Sequence, residues 1–112
     1  KPFYSNLKQY KEFKNIDLRI ARVVSAMKIE ESEKLLKIEV ELGEEKRTIV
    51  AGIAEFYSPE ELINKNIVIV ANLEPRIMFD IESQGMILAV KDEDKLSVLV
   101  PDREIKSGLK IT

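Results

Sequence analysis

The sequence predicts an all-β domain: a five-stranded OB-fold Greek-key barrel with a short helix between its third and fourth strands. Three observations carry this prediction. Short apolar segments with alternating polarity recur along the 112 residues. The string Ser58-Pro59-Glu60-Glu61, a capping residue followed by proline, marks a helix start between the third and fourth segments. The hydrophobic phase flips within the first strand, as it does at a bulge where a strand bends between two sheets.

The N-terminal part predicts a short helix followed by this bulged strand. Residues 7–15 carry apolar side chains at three- and four-residue spacing, which predicts a helix within a flank covering residues 1–15. The pattern then becomes β, with Leu18 and Ile20 in one phase and later positions in the other. The second phase holds Val23, Ser25 and Met27.

The middle of the chain predicts the hairpin and the fourth strand of the barrel. Residues 36–42 alternate apolar with charged side chains, the pattern of a half-buried strand. Gly43 marks a tight turn into a strand over residues 46–53. After the short helix, the continuous apolar run 67–73 predicts a buried strand.

The last third predicts a polar loop, two further strands and a C-terminal extension. The loop runs from residue 74 to residue 83, and strands cover 85–90 and 96–100. One domain therefore spans residues 1–112, with the barrel at 16–90 and extension strands within 91–112.

Composition excludes several classes of function. Without His or Cys there is no disulfide, thiolate nucleophile, imidazole base or Cys-based metal site. Acidic runs such as Asp92-Glu93-Asp94 lie at turns, where solvated carboxylates are ordinary, so a catalytic carboxylate pair is not expected. No apolar run approaches the ~20 residues of a membrane span. We therefore expect a cytoplasmic binding module with no membrane partner, no metal and no cofactor.

Charge is unevenly distributed along the chain. The formal net charge is −2, but residues 1–22 hold six basic and two acidic residues. This segment is either a solvated flank or a local basic face, and composition leaves both open. The chain opens at Lys1 without an initiator methionine, as expected of a piece of a longer protein.

Residues 72–86 form the strongest candidate binding segment. Their Arg, Ser, Gln and Asn side chains can pair phosphates or read 2′-hydroxyls and base edges. Met78 and Phe79 can stack on an unpaired base or pack on a sugar. The alternative is a polar loop that tucks two apolar residues into the core.

In its context, this segment resembles the tRNA-binding domain family. The form it is most similar to is the C-terminal domain of archaeal methionyl-tRNA synthetases, or the stand-alone, structure-specific tRNA-binding counterpart. The Asn-Leu-x-Pro and Ser-x-Gly-Met motifs are the specific part of the resemblance. The matching pieces lie in order at residues 13–21, 32–38, 47–53, 58–62, 72–76 and 82–89.

The resemblance implies an OB barrel that binds tRNA by shape with little sequence preference and does no chemistry. It implies two partners, tRNA and methionyl-tRNA synthetase, which the module aids in cis or in trans. It also implies a homodimer whose interface lies roughly at residues 96–111. It places Asn72, Arg76, Ser83, Gln84 and Met86 at the RNA-binding face. Lys34 and Arg47 match basic positions beside that face and complete the set of predicted RNA-binding residues.

Two sets of alternatives stay open. Gly85 could serve backbone shape, Met86 could belong to the core, and Asn72 could fix the loop without touching RNA. A protein-binding role, either chaperone-like or as a synthetase dimerisation scaffold, would suit the apolar residues 77–79.

Three residues depart from the family pattern. Glu74 and Ile77 stand where the family usually has Lys, and Asp80 stands where Gly is common. Each missing phosphate contact lowers the salt dependence of RNA binding by about 0.7–0.9 logarithmic units. Asp80 also puts the geometry of the loop's turn in question, although Asp tolerates left-handed backbone better than most residues.

Overall fold

A curled, five-stranded antiparallel sheet forms the centre of the computed structural model, which describes residues 3–112. Lys1, one of the N-terminal cations, lies outside the described residues. The helices are a 3-10 turn at Phe3–Asn6, α1 at Tyr10–Phe13 and α2 at Pro59–Leu62. The strands are β1 Leu18–Lys28, β2 Leu36–Leu42, β3 Glu45–Ala51, β4 Asn66–Val70, β5 Arg76–Met78, β6 Ile81–Ser83, β7 Met86–Ile87, β8 Ala89–Asp92 and β9 Lys95–Val98.

The sheet order places β1 at the centre of the barrel wall. The order is β3-β2-β1-β4-β7, and two separate hairpins are formed by β5 with β6 and by β8 with β9. The predicted all-β barrel class is confirmed. Within residues 3–112, no helix is long and apolar enough to cross a membrane.

β1 bends because it carries one extra residue. Its first half pairs with β4 and its second half with β2, and the register with β2 shifts between Val23 and Ser25. The predicted bulge is therefore confirmed. The predicted phase beyond it is wrong: Ser25 and Met27 are exposed, whereas Ala26 packs against the core. The extra residue, Val24, turns the following side chains over by one position.

The core lies between the curled sheet and α2. It is built from aliphatic side chains, because each inward position of β2 and most of β4 carries Ile, Val or Leu. The predicted helix start is confirmed: the Ser58 backbone N–H donates to the Glu61 carboxylate at 2.8 Å, and Leu62 is fully buried beneath it. Fully buried side chains include Val23, Leu36, Ile38, Val40, Ile49, Leu62, Ile67 and Ile69.

The predicted polar loop at residues 74–83 is wrong, because most of it is the β5–β6 hairpin. Met78 pairs with Ile81, so only Phe79 and Asp80 form the turn. Both have positive φ angles, 49° and 63°, as a type I′ hairpin turn requires. The usual Asn-Gly signal of such a turn is absent, which is why the pattern reads as a loop.

The C-terminal segment docks along β1 and extends the sheet there. The Ile20 N–H donates to the Leu109 carbonyl at 3.0 Å, and the Ile111 N–H donates to the Leu18 carbonyl at 2.8 Å. The predicted strand over residues 85–90 is divided: β7 pairs with β4, whereas β8 pairs with β9.

Candidate nucleic-acid interface

Six of the seven predicted site residues gather at one end of the barrel. There, β3 approaches the chain that leaves β4 and the segment from β5 to β7. Two shallow grooves of about 90 and 240 Å³ lie side by side, and Leu73 lines both. We call this surface the groove face. Its predicted residues are Arg47, Asn72, Arg76, Ser83, Gln84 and Met86.

Lys34 does not line either groove of the groove face. It sits in the loop that joins β1 to β2, beyond the Leu36–Ala51 pair. Arg47 pairs with Val40, so at least four strand residues, about 13 Å, separate the two cations along the hairpin.

Ser83 and Gln84 close the barrel between β3 and β7. Ser83 is 4% exposed, and its hydroxyl accepts a hydrogen bond from the Val50 N–H at 2.9 Å. The Gln84 side-chain oxygen accepts from the Thr48 N–H at 3.0 Å, and the Gln84 N–H donates to the Thr48 carbonyl at 2.8 Å. These bonds join β3 to the segment before β7, where the two strands form no backbone hydrogen-bond ladder with each other. Contact of Ser83 and Gln84 with RNA stays a prediction.

Arg47, on β3, bonds to the chain that follows β4 and to the segment before β7. Its Nη1 donates to the carbonyls of Ala71 and Gln84, and its Nε lies 2.6 Å from the Glu45 carboxylate. These contacts fix three chain segments relative to one another. The guanidinium therefore rigidifies the face as well as contributing positive charge to it.

Asn72 ties the groove face to the N-terminal segment. Its side-chain oxygen accepts from the Asp17 N–H at 2.9 Å, and its side-chain nitrogen donates to the Asn15 carbonyl at 2.7 Å. Asn72 therefore holds the chain that follows β4 against the N-terminal segment, and its contact with RNA stays a prediction.

Arg76 and Met86 present the accessible chemistry of the face. Arg76 is exposed at the start of β5, and Met86 is 48% exposed, so Met86 is not a core residue. Both line the smaller groove together with Leu73, which is 47% exposed. Leu73 was not among the predicted site residues, although it is the Leu of the Asn-Leu-x-Pro motif; the sequence predicted it within the buried strand, whereas β4 ends at Val70.

Gly85 is required by backbone shape. Its φ is +151°, and a Cβ atom there would lie 3.1 Å from the Val70 carbonyl oxygen and 3.4 Å from Ile49 Cδ1. Gly85 thus allows the chain to cross close over β4 before β7.

The electrostatics of the groove face are mixed. Glu45 and Glu74 line the two grooves beside Arg47 and Arg76. Next to Asn72, the pKa of Asp17 is lowered, first by hydrogen bonds from Arg19 and then by the charges of Arg19, Lys110 and Arg47. Three cations, Arg19, Lys110 and Arg47, therefore act on this one carboxylate.

The exposed face of this small barrel offers groups that can bind a ligand through hydrogen bonds, charge and apolar contact. No group of three or more Asp or Glu side chains within residues 3–112 is placed to hold a metal ion. The face instead combines guanidinium, amide and apolar side chains, the combination that suits a folded nucleic acid.

Comparison with known proteins agrees with this class. The family model described as "Putative tRNA binding domain" matches residues 18–110. The chain is 55% identical over 100 residues to a methionine–tRNA ligase of Methanoculleus marisnigri, covering 89% of this chain and 15% of that protein. The chain therefore belongs to the tRNA-binding domain family. It spans 14 to 16% of the length of the methionine–tRNA ligases that it matches.

Solved structures support the same assignment. A protein described as MetRS-related, from Pyrococcus horikoshii, superposes with a TM-score of 0.89 at 36% identity, covering 96% of this chain and 99% of that one. The chaperone CsaA of Bacillus anthracis superposes with a TM-score of 0.85 at 28% identity, covering 96% and 100%.

Proposed function

We propose that this chain is a non-catalytic module that binds tRNA by shape with little sequence preference. The observation that carries the proposal is the match to the tRNA-binding family over residues 18–110, which includes the whole groove face. A rigid face suits shape recognition, because its groups are held in place before the RNA arrives.

The accessible side chains of the face offer two kinds of contact, hydrogen bonds to phosphate and apolar contact with a sugar or base. Arg76 is exposed and offers a planar guanidinium that can pair a phosphate through two hydrogen bonds. Met86 and Leu73 offer an apolar platform on the same groove for a sugar or base. Arg47, Asn72, Ser83 and Gln84 keep this arrangement fixed.

The partner of the module is, in this proposal, methionyl-tRNA synthetase. The curated relatives named above are methionine–tRNA ligases, and the chain matches about one sixth of their length. The module would supply tRNA affinity to the synthetase either as part of the same chain or as a separate protein.

The proposal includes a homodimer. The C-terminal segment leaves Leu99, Val100, Ile105 and Leu109 between 39% and 53% exposed, a run of apolar surface that a second copy would cover. Sedimentation equilibrium should give twice the 12.9 kDa chain mass. A Val100→Asp variant should shift the mass towards the monomer.

The central experiment measures tRNA affinity at several salt concentrations. We expect binding that weakens as salt rises, and Arg76→Gln should lower the salt slope by about 0.7–0.9. Lys95→Gln is the matched control, because it removes one exposed charge from the separate β8–β9 hairpin. Absence of salt-dependent tRNA binding by the wild type would overturn the proposal.

A second function is favoured by the tip of the β5–β6 hairpin. Ile77 is 74% exposed and Phe79 is 51% exposed, and the CsaA relative is called a chaperone. A module that binds unfolded polypeptides would suppress aggregation of a denatured protein in light-scattering assays. Ile77→Lys should abolish this effect, whereas a tRNA-binding module should bind RNA more tightly after the same change.

A further inference from the structure

Two of the chain's three methionines line the smaller groove of the groove face. Met78 and Met86 border its volume of about 90 Å³ together with Leu73 and Arg76, whereas Met27 lines neither groove. We propose that this methionine pair is a modification site, at which a peroxide oxidises the thioethers and thereby weakens RNA binding. The inference rests on the proposed function and deepens it, because it gives the same site a form of regulation.

Met86 is held on the outer surface by the strand that carries it. β7 has only two residues, and successive side chains of a strand point to opposite faces. Ile87 packs against the core, so Met86 projects outwards, where it is 48% exposed. Met78, at the end of β5, is half-buried. A small oxidant can therefore reach both sulfur atoms from solvent, Met86 more readily than Met78.

The reaction needs one co-reactant, a hydroperoxide such as hydrogen peroxide. The thioether sulfur attacks one peroxide oxygen, the O–O bond breaks and an S–O bond forms. Sulfur loses two electrons, and the second oxygen leaves with both protons as water. The product, methionine sulfoxide, is polar, and methionine sulfoxide reductases return it to the thioether, one enzyme for each epimer. The modification is therefore reversible, as a regulatory site requires.

A sulfoxide in this groove opposes RNA binding in two ways. Met86 and Leu73 form the apolar platform for a sugar or base, and a polar oxygen on that platform loses its water when RNA covers it. A sulfoxide oxygen also accepts hydrogen bonds and cannot donate them, as is true of a phosphate oxygen. It therefore competes with phosphate for the Arg76 guanidinium, which lines the same groove.

Oxidation of the pair should leave the fold and the proposed dimer intact. Neither Met78 nor Met86 is a core residue, and Met86 joins β7 to β4 through backbone groups that the modification does not touch. No residue of the proposed dimer interface at 96–111 lines the smaller groove. The modification therefore changes the chemistry of the binding surface without removing a contact that holds the barrel or the dimer together.

The composition of the chain allows the groove pair to be tested separately. There is no cysteine, so the three methionines hold the only sulfur atoms. Met27→Leu leaves only the groove pair to oxidise, and Met78→Leu with Met86→Leu leaves only Met27, which is 57% exposed on β1. Wild type and both variants are treated with hydrogen peroxide, and mass spectrometry measures sulfoxide at each methionine. The tRNA affinity of each is then compared with that of its own untreated form.

Oxidation of the wild type and of Met27→Leu should weaken tRNA binding about fivefold or more, the effect of one lost base contact. Treatment with both sulfoxide reductases and a thiol should restore the affinity. Oxidation of the double variant should change its affinity by less than about twofold, as is usual for a surface change away from a site. Circular dichroism should show that all oxidised proteins remain folded.

Three results would refute the inference and leave the proposed function standing. One is unchanged tRNA affinity of the wild type after sulfoxide has formed at Met86, and another is failure of peroxide to modify Met86 in the folded protein. The third is a loss of affinity in Met27→Leu that the double variant matches, or that unfolding accompanies, because the groove pair would then not be its cause. Absence of tRNA binding by the untreated wild type would refute both the inference and the proposed function.

Discussion

Under the proposed function, Glu74 and Ile77 set how strongly the groove face would attract phosphate. Glu74 lines the smaller groove beside Arg76, and Ile77 projects from β5 with 74% of its surface exposed. An acid next to the accessible guanidinium weakens its attraction for RNA, and the apolar Ile77 adds nothing to it. The face is therefore held rigidly but carries little net positive charge.

Replacing both residues by lysine should strengthen tRNA binding. Glu74→Lys removes one negative charge and adds a positive one, and Ile77→Lys adds another cation. The salt slope should become steeper by up to about 1.8, two further phosphate contacts, in tRNA titrations at several salt concentrations. Ile77→Gln is the control for lost apolar surface. An unchanged slope would mean that RNA does not approach this side of the face.

Substitution of Ser83 should lower the stability of the folded protein, whatever its effect on RNA binding. Ser83→Ala leaves the buried Val50 N–H without its 2.9 Å acceptor, and such an orphaned group costs about 1–3 kcal/mol. The free energy of unfolding, measured in urea, should fall by that amount. Ser25→Ala, an exposed residue of β1, should change it by less than about 0.5 kcal/mol. If Ser83→Ala changed the free energy of unfolding as little as Ser25→Ala, the hydrogen bond between Ser83 and Val50 would not stabilise the barrel.

The sequence predicted which residues share the face better than it predicted what each one does. The motif spacing located six of them, because the motifs flank the two strands that meet there. It could not show that Arg47, Asn72, Ser83 and Gln84 bond to backbone groups, because Thr48, Val50, Ala71 and Asp17 come from other parts of the chain. Lys34 lies in the loop before β2 and lines neither groove, and its contact with RNA stays a prediction.

At the level of elements, the β5–β6 hairpin is held by a strained turn. Phe79 and Asp80 both adopt left-handed backbone, which costs a residue with a Cβ atom roughly 1–2 kcal/mol. A substitution that relieves this strain should therefore increase the stability of the folded protein.

Asp80→Gly should stabilise the protein by up to about 1 kcal/mol, because glycine adopts this conformation without strain. Thermal unfolding of a domain this size should shift upwards by a few degrees. Asp92→Gly, in the β8–β9 hairpin but with an ordinary negative φ, should lower the unfolding temperature instead. A lower unfolding temperature for Asp80→Gly would indicate that the Asp80 side chain stabilises the turn by more than its strain.

Two elements illustrate why some structure was predictable. The bulge in β1 was readable, because an extra residue changes the phase of the pattern on either side of it. The β5–β6 hairpin was not, because its two strands are only three residues long and half of their residues are exposed, which leaves no run of alternation. The docking of the C-terminal segment on β1 was also unreadable, since backbone hydrogen bonds between Gly108, Leu109 and Ile20 leave no mark on side-chain polarity.

At the scale of the whole molecule, Asp17 and Arg19 join the two ends of the chain. Arg19 donates to the Asp17 carboxylate through Nε and Nη2, and its Nη1 donates to the Gly108 carbonyl at 3.0 Å. The Asp17 backbone N–H is held by Asn72. One ionised carboxylate therefore orients the guanidinium that links the N-terminal segment, β1 and the C-terminal segment.

This arrangement predicts a loss of stability in acid. The pKa of Asp17 is lowered in the folded state, mainly by its hydrogen bonds from Arg19, and that of Glu61 is lowered by the backbone N–H and hydroxyl of Ser58. A depressed folded pKa means that the contribution is complete above the unfolded value, near 4, and is lost as pH falls through the folded value. The free energy of unfolding should thus decrease from about pH 5 downwards.

The share of Asp17 can be separated with two variants. Asp17→Asn should lower the free energy of unfolding at pH 7 by up to about 1 kcal/mol, the range for a pair this exposed, and should have a smaller effect at pH 3. Asp102→Asn, whose carboxylate is fully exposed and 4.0 Å from Arg103, should leave the pH profile unchanged. Urea titrations at pH 3, 5 and 7 provide the measurement. An Asp17→Asn profile parallel to the wild type would contradict this prediction, because it would mean that ionisation of the Asp17 carboxyl is not coupled to folding.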